Sequence, residues 1–171
     1  MTKIDVLDQI VREKMLPEPQ GMFSICSSNI QVLRACMKRA SMIGGPLLIE
    51  STCNQVNQFG GYMNMTPVQF AEYVETIADE TGFPRERILL GGDHLGPSAW
   101  KQEPAESAMQ KSADLIKACI RAGYRKIHLD ASMPCGDDPR PLPPEIVAER
   151  EARLCRAGLE AEERSEERRV G

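Results

Sequence analysis

Aromatic side chains make up only 5% of this 171-residue chain, and histidine occurs just twice. With so few imidazoles, a metal centre built by this chain needs carboxylate or thiolate ligands as well. Long apolar runs are missing too: none nears the roughly 20 residues that span a bilayer. The N-terminal MTKIDVLDQIVREK mixes charges with aliphatics and has neither the apolar stretch nor the cleavage site of a signal peptide. Charge of one sign is not in excess. A formal net charge of −4 offers no concentrated basic surface of the kind nucleic acids require. These absences lead to the expectation of a cytoplasmic protein with neither a membrane nor a nucleic-acid partner.

Nucleotide-binding fingerprints are also lacking, since no GxGxxG or GxxxxGK[ST] occurs. The six cysteines, Cys26, Cys36, Cys53, Cys119, Cys135 and Cys155, contain no CxxC pair. They are expected to be reduced thiols packed as small hydrophobes. At 42% apolar and 27% charged, the chain is long enough to bury a core without disulfides.

What is present is an alternation of two kinds of segment. Gly21–Cys26, Pro46–Glu50, Arg87–Asp93 and Lys126–Asp130 are short apolar runs that read as strands. Helical periodicity follows each of them. Asn29 caps a helix over Ile30–Met42 that Gly44-Gly45 ends; Thr66-Pro67 starts one that reaches Gly82. Further helices are predicted over Pro104–Ala122 and from Glu145 through Cys155, and one more, Lys3–Met15, precedes the first strand. Four consecutive βα units imply a parallel sheet, either doubly wound or the first half of a (β/α)8 barrel, whose usual length is about 250 residues.

In both architectures ligands bind at the carboxyl ends of the strands. Here those ends carry Ser24, Cys26, Glu50, Ser51 and Thr52, then Asp93-His94, and then His128, Asp130 and Ser132. Asp93-His94 is the best pair: an imidazole can hold a divalent metal while the adjacent carboxylate transfers a proton. A plainer reading has Asp93 capping a turn and His94 merely packing. His128 and Asp130, two apart, share a strand face, where they bind substrate or simply bond each other. Glu50 sits in an apolar strand and needs a partner if buried. Lys126 begins its strand, away from the rim, and is set aside as a Schiff-base candidate.

The segments GMFSICSSN, LLIESTCNQVNQFGGYMNMTP, ILLGGDHLGPSAW and KIHLDASMPCGDDP resemble the non-catalytic Z subunits of class II tagatose-1,6-bisphosphate aldolase, from about Asp5 to Arg156. The resemblance implies a TIM barrel. It also implies a partner, the catalytic subunit, which the Z subunit stabilises and brings to full activity, so the chain is a component of a lyase rather than an enzyme by itself. The pathway implied is tagatose, galactitol or N-acetylgalactosamine catabolism. The family is itself similar to zinc-dependent class II aldolases, in which a Leu-Asp-His-Gly strand end supplies the proton-transfer acid and a zinc histidine. Gly92-Asp93-His94-Leu95-Gly96 stands in that place, and Asp130-Ala131-Ser132 matches the next motif. The resemblance therefore makes Asp93 the catalytic candidate and His94 a zinc candidate. Glu50, His128, Asp130 and Ser132 are substrate-binding candidates toward a sugar phosphate. An independent zinc-dependent aldolase is the alternative; a sugar-phosphate kinase, a label attached to some relatives, finds no ATP-cradling motif.

Resemblance fades near Ala157, which divides the chain into a half-barrel over 1–157 and a Glu/Arg-rich tail over 158–171, a solvated helix or disordered by its composition and expected to be disordered or foreign sequence. Half a barrel leaves two sheet edges open. The isolated chain is accordingly expected to be oligomeric, poorly soluble or only partly folded, and a monodisperse monomer with a cooperative melt in light scattering and calorimetry would contradict this.

Overall fold

The computed structural model describes residues 21–170, together with the helical Arg12; the rest of the helix predicted at Lys3–Met15 lies outside the described residues. Each βα unit begins and ends where its local chemistry dictates. Strand β1 is short, Ser24–Cys26. Helix α1, Ile30–Ile43, starts where the Asn29 side chain accepts from the backbone N–H groups of Gln31 and Val32, and it stops at Gly44, whose φ of 82° suits a residue without Cβ. Strand β2 covers Leu47–Thr52. Helix α2, Pro67–Thr81, opens with a reciprocal capping box between Thr66 and Gln69. Strand β3, Ile88–Leu95, runs two residues beyond the expected Asp93, because its pairing with the next strand continues past an irregularity. Helix α3 spans Ala105–Arg121, strand β4 Lys126–Leu129 and helix α4 Pro144–Val170.

The strands lie in the order β1-β2-β3-β4, all parallel. A doubly wound sheet reverses its strand order at a switch point and carries helices on both faces. Neither occurs among the described residues. Leu47 and Ile49 of β2 and Ile88 and Leu90 of β3 form one core with Leu33 and Met37 of α1 and Phe70 and Val74 of α2. Leu115 and Ile116 of α3 and Leu154 of α4 complete it. All four helices therefore cover the same sheet face, as right-handed crossovers require when each strand is added on the same side. This is the first half of a (β/α)8 barrel.

The opposite, inner face carries residues in register across the strands: Cys26 opposite Glu50, Glu50 opposite Gly91, and Gly91 opposite Lys126. The two-residue period of a strand adds Ser24, Thr52, Asp93 and His128 to that face.

Of the two readings of the charged segment after Gly158, solvated helix or disordered tail, the structure has the helix: α4 continues to Val170. Ala, Glu and Arg are strong helix formers. Ala157 and Ala161 are buried, and Arg164 lies 4.0 Å from Glu160 one turn earlier. All six cysteines are free, with Cys53, Cys119 and Cys135 buried and Cys26 and Cys155 exposed. No helix of the described residues is long and apolar enough to cross a membrane.

One ion pair ties the β4–α4 loop to α4. Arg150 Nη1 and Nη2 donate to the two carboxylate oxygens of Asp138 at 2.8 and 2.6 Å, with the side chains only 11% and 6% exposed. Asp138 also accepts from the Cys135 backbone N–H at 2.6 Å. The bonds from Arg150 hold the Asp138 pKa below its usual value, against the effect of burial. A depressed carboxylate contributes stability above its unfolded pKa of about 4 and loses it as pH falls through the folded value. Arg150→Met is expected to cost roughly 3–5 kcal/mol in denaturant unfolding at neutral pH. Asp138→Asn should weaken the acid dependence below about pH 4 relative to wild type.

Candidate functional site

Strand β3 shapes the inner face. Gly92 pairs with Ile127 and Leu95 with Leu129, so Asp93 and His94 together face the single residue His128. That extra residue is a β-bulge, and His94 takes the left-handed φ of 50° that such a kink demands. A regular strand would send Asp93 and His94 to opposite faces. The bulge instead brings both to His128. A Cβ on Gly92 would clash with Leu95 Cδ1, so the glycine makes room for Leu95 to return to the core after the bulge.

The resulting cluster is compact. Asp93 Oδ1 lies 2.9 Å from His128 Nδ1 and 3.2 Å from His94 Nδ1, and the two imidazole centroids are 4.5 Å apart. Asp93 is 21% exposed, whereas His94 and His128 are 57% and 44% exposed, so the carboxylate forms the floor and the rings the mouth. Burial works to raise the Asp93 pKa, but hydrogen bonds from His128, His94 and Cys26 outweigh it and hold the acid down at about 2. The same surroundings, burial first and the neighbouring Asp93 and Glu50 next, push the Cys26 thiol up to about 11. Asp93 is therefore an anion at neutral pH and Cys26 a thiol. One ligand atom from each of Asp93, His94 and His128 fits within a 4.8 Å group, the geometry of a possible metal site.

The other candidates form two separate arrangements. Asp130, just past the end of β4, accepts from the Ser132 backbone N–H at 2.9 Å and from its hydroxyl at 2.6 Å. These bonds lower the Asp130 pKa against an opposing desolvation. Asp130 and Ser132 thus serve each other at the rim, and His128 bonds Asp93 rather than Asp130. Glu50 is buried, with both carboxylate oxygens taken: Ser24 Oγ donates to Oε2 and Lys126 Nζ to Oε1.

Lys126 is the residue that sequence reasoning set aside. It does begin β4, but β4 starts level with Gly91, a single inner-face step below Asp93, and its Nζ lies 3.8 Å from Asp93 Oδ1. Glu50 and Lys126 are two strands apart, a distance of about 10 Å between backbones. They meet only because the intervening Gly91 has no side chain; a Cβ there would sit 3.0 Å from Glu50 Cγ and 3.1 Å from Leu48 Cδ1. The signal was available, since the two-residue period that pairs His128 with Asp130 also puts Lys126 on their face. Ser51, by contrast, faces the helices, 3.0 Å from the Tyr124 hydroxyl. Gln55, just past the end of β2, is buried, and the Cys26 thiol lies 3.7 Å from its Oε1.

A sequential parallel sheet with all its described helices on one face and an acid–imidazole cluster at the carboxyl ends of its strands defines a protein of the (β/α)8-barrel class. Within that class the chain belongs to the D-tagatose-1,6-bisphosphate aldolase subunit GatZ/KbaZ-like family, which it matches over residues 7–170. It is 52% identical over 151 residues to the D-tagatose-1,6-bisphosphate aldolase subunit GatZ of Salmonella enteritidis PT4, covering 88% of this chain and 36% of that protein. For the subunit of the same name from Klebsiella pneumoniae the identity is 55% over 153 residues, covering 90% and 36%. A crystal structure described as a probable tagatose 6 phosphate kinase from Sinorhizobium meliloti 1021 superposes with a TM-score of 0.80 at 51% identity, covering 83% of this chain and 37% of that one. The chain thus spans about a third of the length of the relatives it matches.

Placing a side chain at position 91 tests how the face is built. Gly91→Val is expected to cost at least about 3–5 kcal/mol in chemical unfolding, because overpacking adds to the loss of the counter-charge of buried Glu50. It should also separate Lys126 from Glu50, seen as a shift of the Lys126 side-chain NMR resonances; unchanged resonances would contradict the role given to Gly91.

Proposed function

We propose that the chain acts as the non-catalytic subunit of a class II tagatose-1,6-bisphosphate aldolase, stabilising a catalytic subunit in the breakdown of tagatose, galactitol or N-acetylgalactosamine. The observation that carries this reading is the identity of 52–55% to proteins named as aldolase subunits, over nearly all of this chain. The inner face supports it in kind. An anionic Asp93 fixed by two imidazoles, a hydroxyl–carboxylate pair at the rim and a lysine held by a buried glutamate are groups that bind and orient the hydroxyls of a sugar.

A second reading, a zinc-dependent ketose-bisphosphate aldolase acting by itself, is favoured by one observation, the convergence of Asp93, His94 and His128. Two imidazoles and a carboxylate are a zinc donor set of the catalytic type, with one position left for substrate, so the residues present fit the metal. His94 and His128, with Asp93, would hold it. Zinc supplies Lewis acidity toward a ketose carbonyl when bound. For the chain's own part, Asp93 accepts a proton at Oδ1 or orients the rings through it, while Asp130 holds the Ser132 hydroxyl toward the mouth.

The two readings separate in one experiment. Co-expression with the catalytic subunit of a class II tagatose-bisphosphate aldolase is expected to give co-elution, a higher melting temperature of that subunit and greater retro-aldol activity. Asp93→Ala should leave all three intact if the chain is a supporting subunit. If the chain by itself binds zinc one to one and cleaves tagatose 1,6-bisphosphate, with both properties lost in His94→Ala, the second reading replaces the first.

A further inference from the structure

The pair formed by Lys126 and Asp93 has unused hydrogen-bonding capacity of a particular kind. Lys126 carries three N–H donors. Among the described residues its hydrogen bond is to Glu50 alone, and Asp93 Oδ1 at 3.8 Å is beyond hydrogen-bond reach. The lysine side chain is one-third exposed, while Glu50 beneath it is 7% exposed and is also held by Ser24. Lys126 is thus anchored from below, with donors still free toward the cleft. Asp93 beside it is already held by His128, His94 and Cys26, and a carboxylate's roughly four acceptor sites leave one open toward the cleft.

A donor and an acceptor side by side, too far apart to satisfy each other, match a group that is both: a hydroxyl accepts from the ammonium and donates to the carboxylate. A phosphate offers acceptors only. It would also meet the carboxylates of Asp93 and Glu50 against the single ammonium of Lys126, a net repulsive setting. We infer that Lys126 and Asp93 form a hydroxyl-recognition pair that binds the polyol part of a sugar, and that this face does not bind the sugar's phosphate. Glu50 and Ser24 act as positioning residues that aim the lysine. The inference deepens the function proposed above and rests on it for the choice of sugar.

The chain's two histidines both sit in this cluster, so their imidazole NMR signals report on it directly. Titration of the full chain with neutral D-tagatose, in a buffer free of phosphate, is expected to move both signals to saturation. Inorganic phosphate over the same concentrations should produce no saturable shift. Lys126→Met should weaken D-tagatose binding by about tenfold or more, the loss of a charged hydrogen bond, and Lys126→Arg, which keeps a donor, should recover part of it. Because Lys126→Met leaves Glu50 buried without its counter-charge, the double variant Glu50→Gln with Lys126→Met supplies the same comparison with no lone charge. It should show the same loss on an unchanged backbone amide spectrum. Saturable phosphate binding, no response to D-tagatose, or D-tagatose binding unchanged in both Met variants would each overturn the inference. None of these results bears on association with a catalytic subunit, which is measured separately.

Discussion

Two adjacent residues without side chains, Gly91 and Gly92, are the constraint on which the inner face depends. On one side of the sheet, Gly91 lets a carboxylate from β2 and an ammonium from β4 meet across the strand between them. On the other side, Gly92 leaves the space into which Leu95 turns after the bulge. A larger residue at position 91 would leave Glu50 buried and unpaired, which is far more costly than losing an exposed ion pair. A larger residue at position 92 would press on Leu95 and so oppose the bulge that turns Asp93 and His94 toward the same histidine. Backbone geometry and the chemistry of the site are coupled through these two positions.

The polar face can exist because the other face is so thoroughly apolar. Four helices bury one continuous core against β2 and β3, and that burial is the main source of stability. The inner face is then free to carry charges whose interactions are mostly with one another: Glu50 with Lys126 and Ser24, Asp93 with two imidazoles, Asp130 with Ser132. In each case an acid is satisfied by specific donors. The carboxyls of Asp93 and Asp130 have their pKa held down by those bonds despite desolvation. Such preorganisation favours a role in binding and orientation.

The larger elements were legible in the chain because each rests on local chemistry. Asn29, Thr66-Pro67, Gly44 and Gly82 mark helix ends by capping and by left-handed backbone, effects confined to a few neighbouring residues. The cluster was legible in part: Asp93, His94 and His128 were all picked out, but their mutual contact was not, since it needs a bulge that periodicity cannot register. Lys126 was missed because its place in its own strand was considered without the register of β4 against β3. The charged end of α4 is ambiguous in sequence, a solvated helix or a disordered tail, because a Glu/Arg-rich stretch lacks an apolar period; Ala157 and Ala161 are buried along the helix it forms.

By itself the sequence determined the alternation of strands and helices, their caps, and which acids and histidines stand near strand ends, since these follow from side-chain period and local hydrogen bonding. Its periodicity left a doubly wound sheet and a half-barrel open, and the resemblance carried by its motifs pointed to the barrel. The tertiary structure bore that out through strand order, a property of long-range pairing. It alone decided that Glu50 is the counter-charge of a lysine, that Asp130 serves Ser132, and that Asp93 joins two imidazoles. Those partnerships arise between residues that approach only when separate strands lie side by side, and a missing side chain between them is as decisive as the charges themselves.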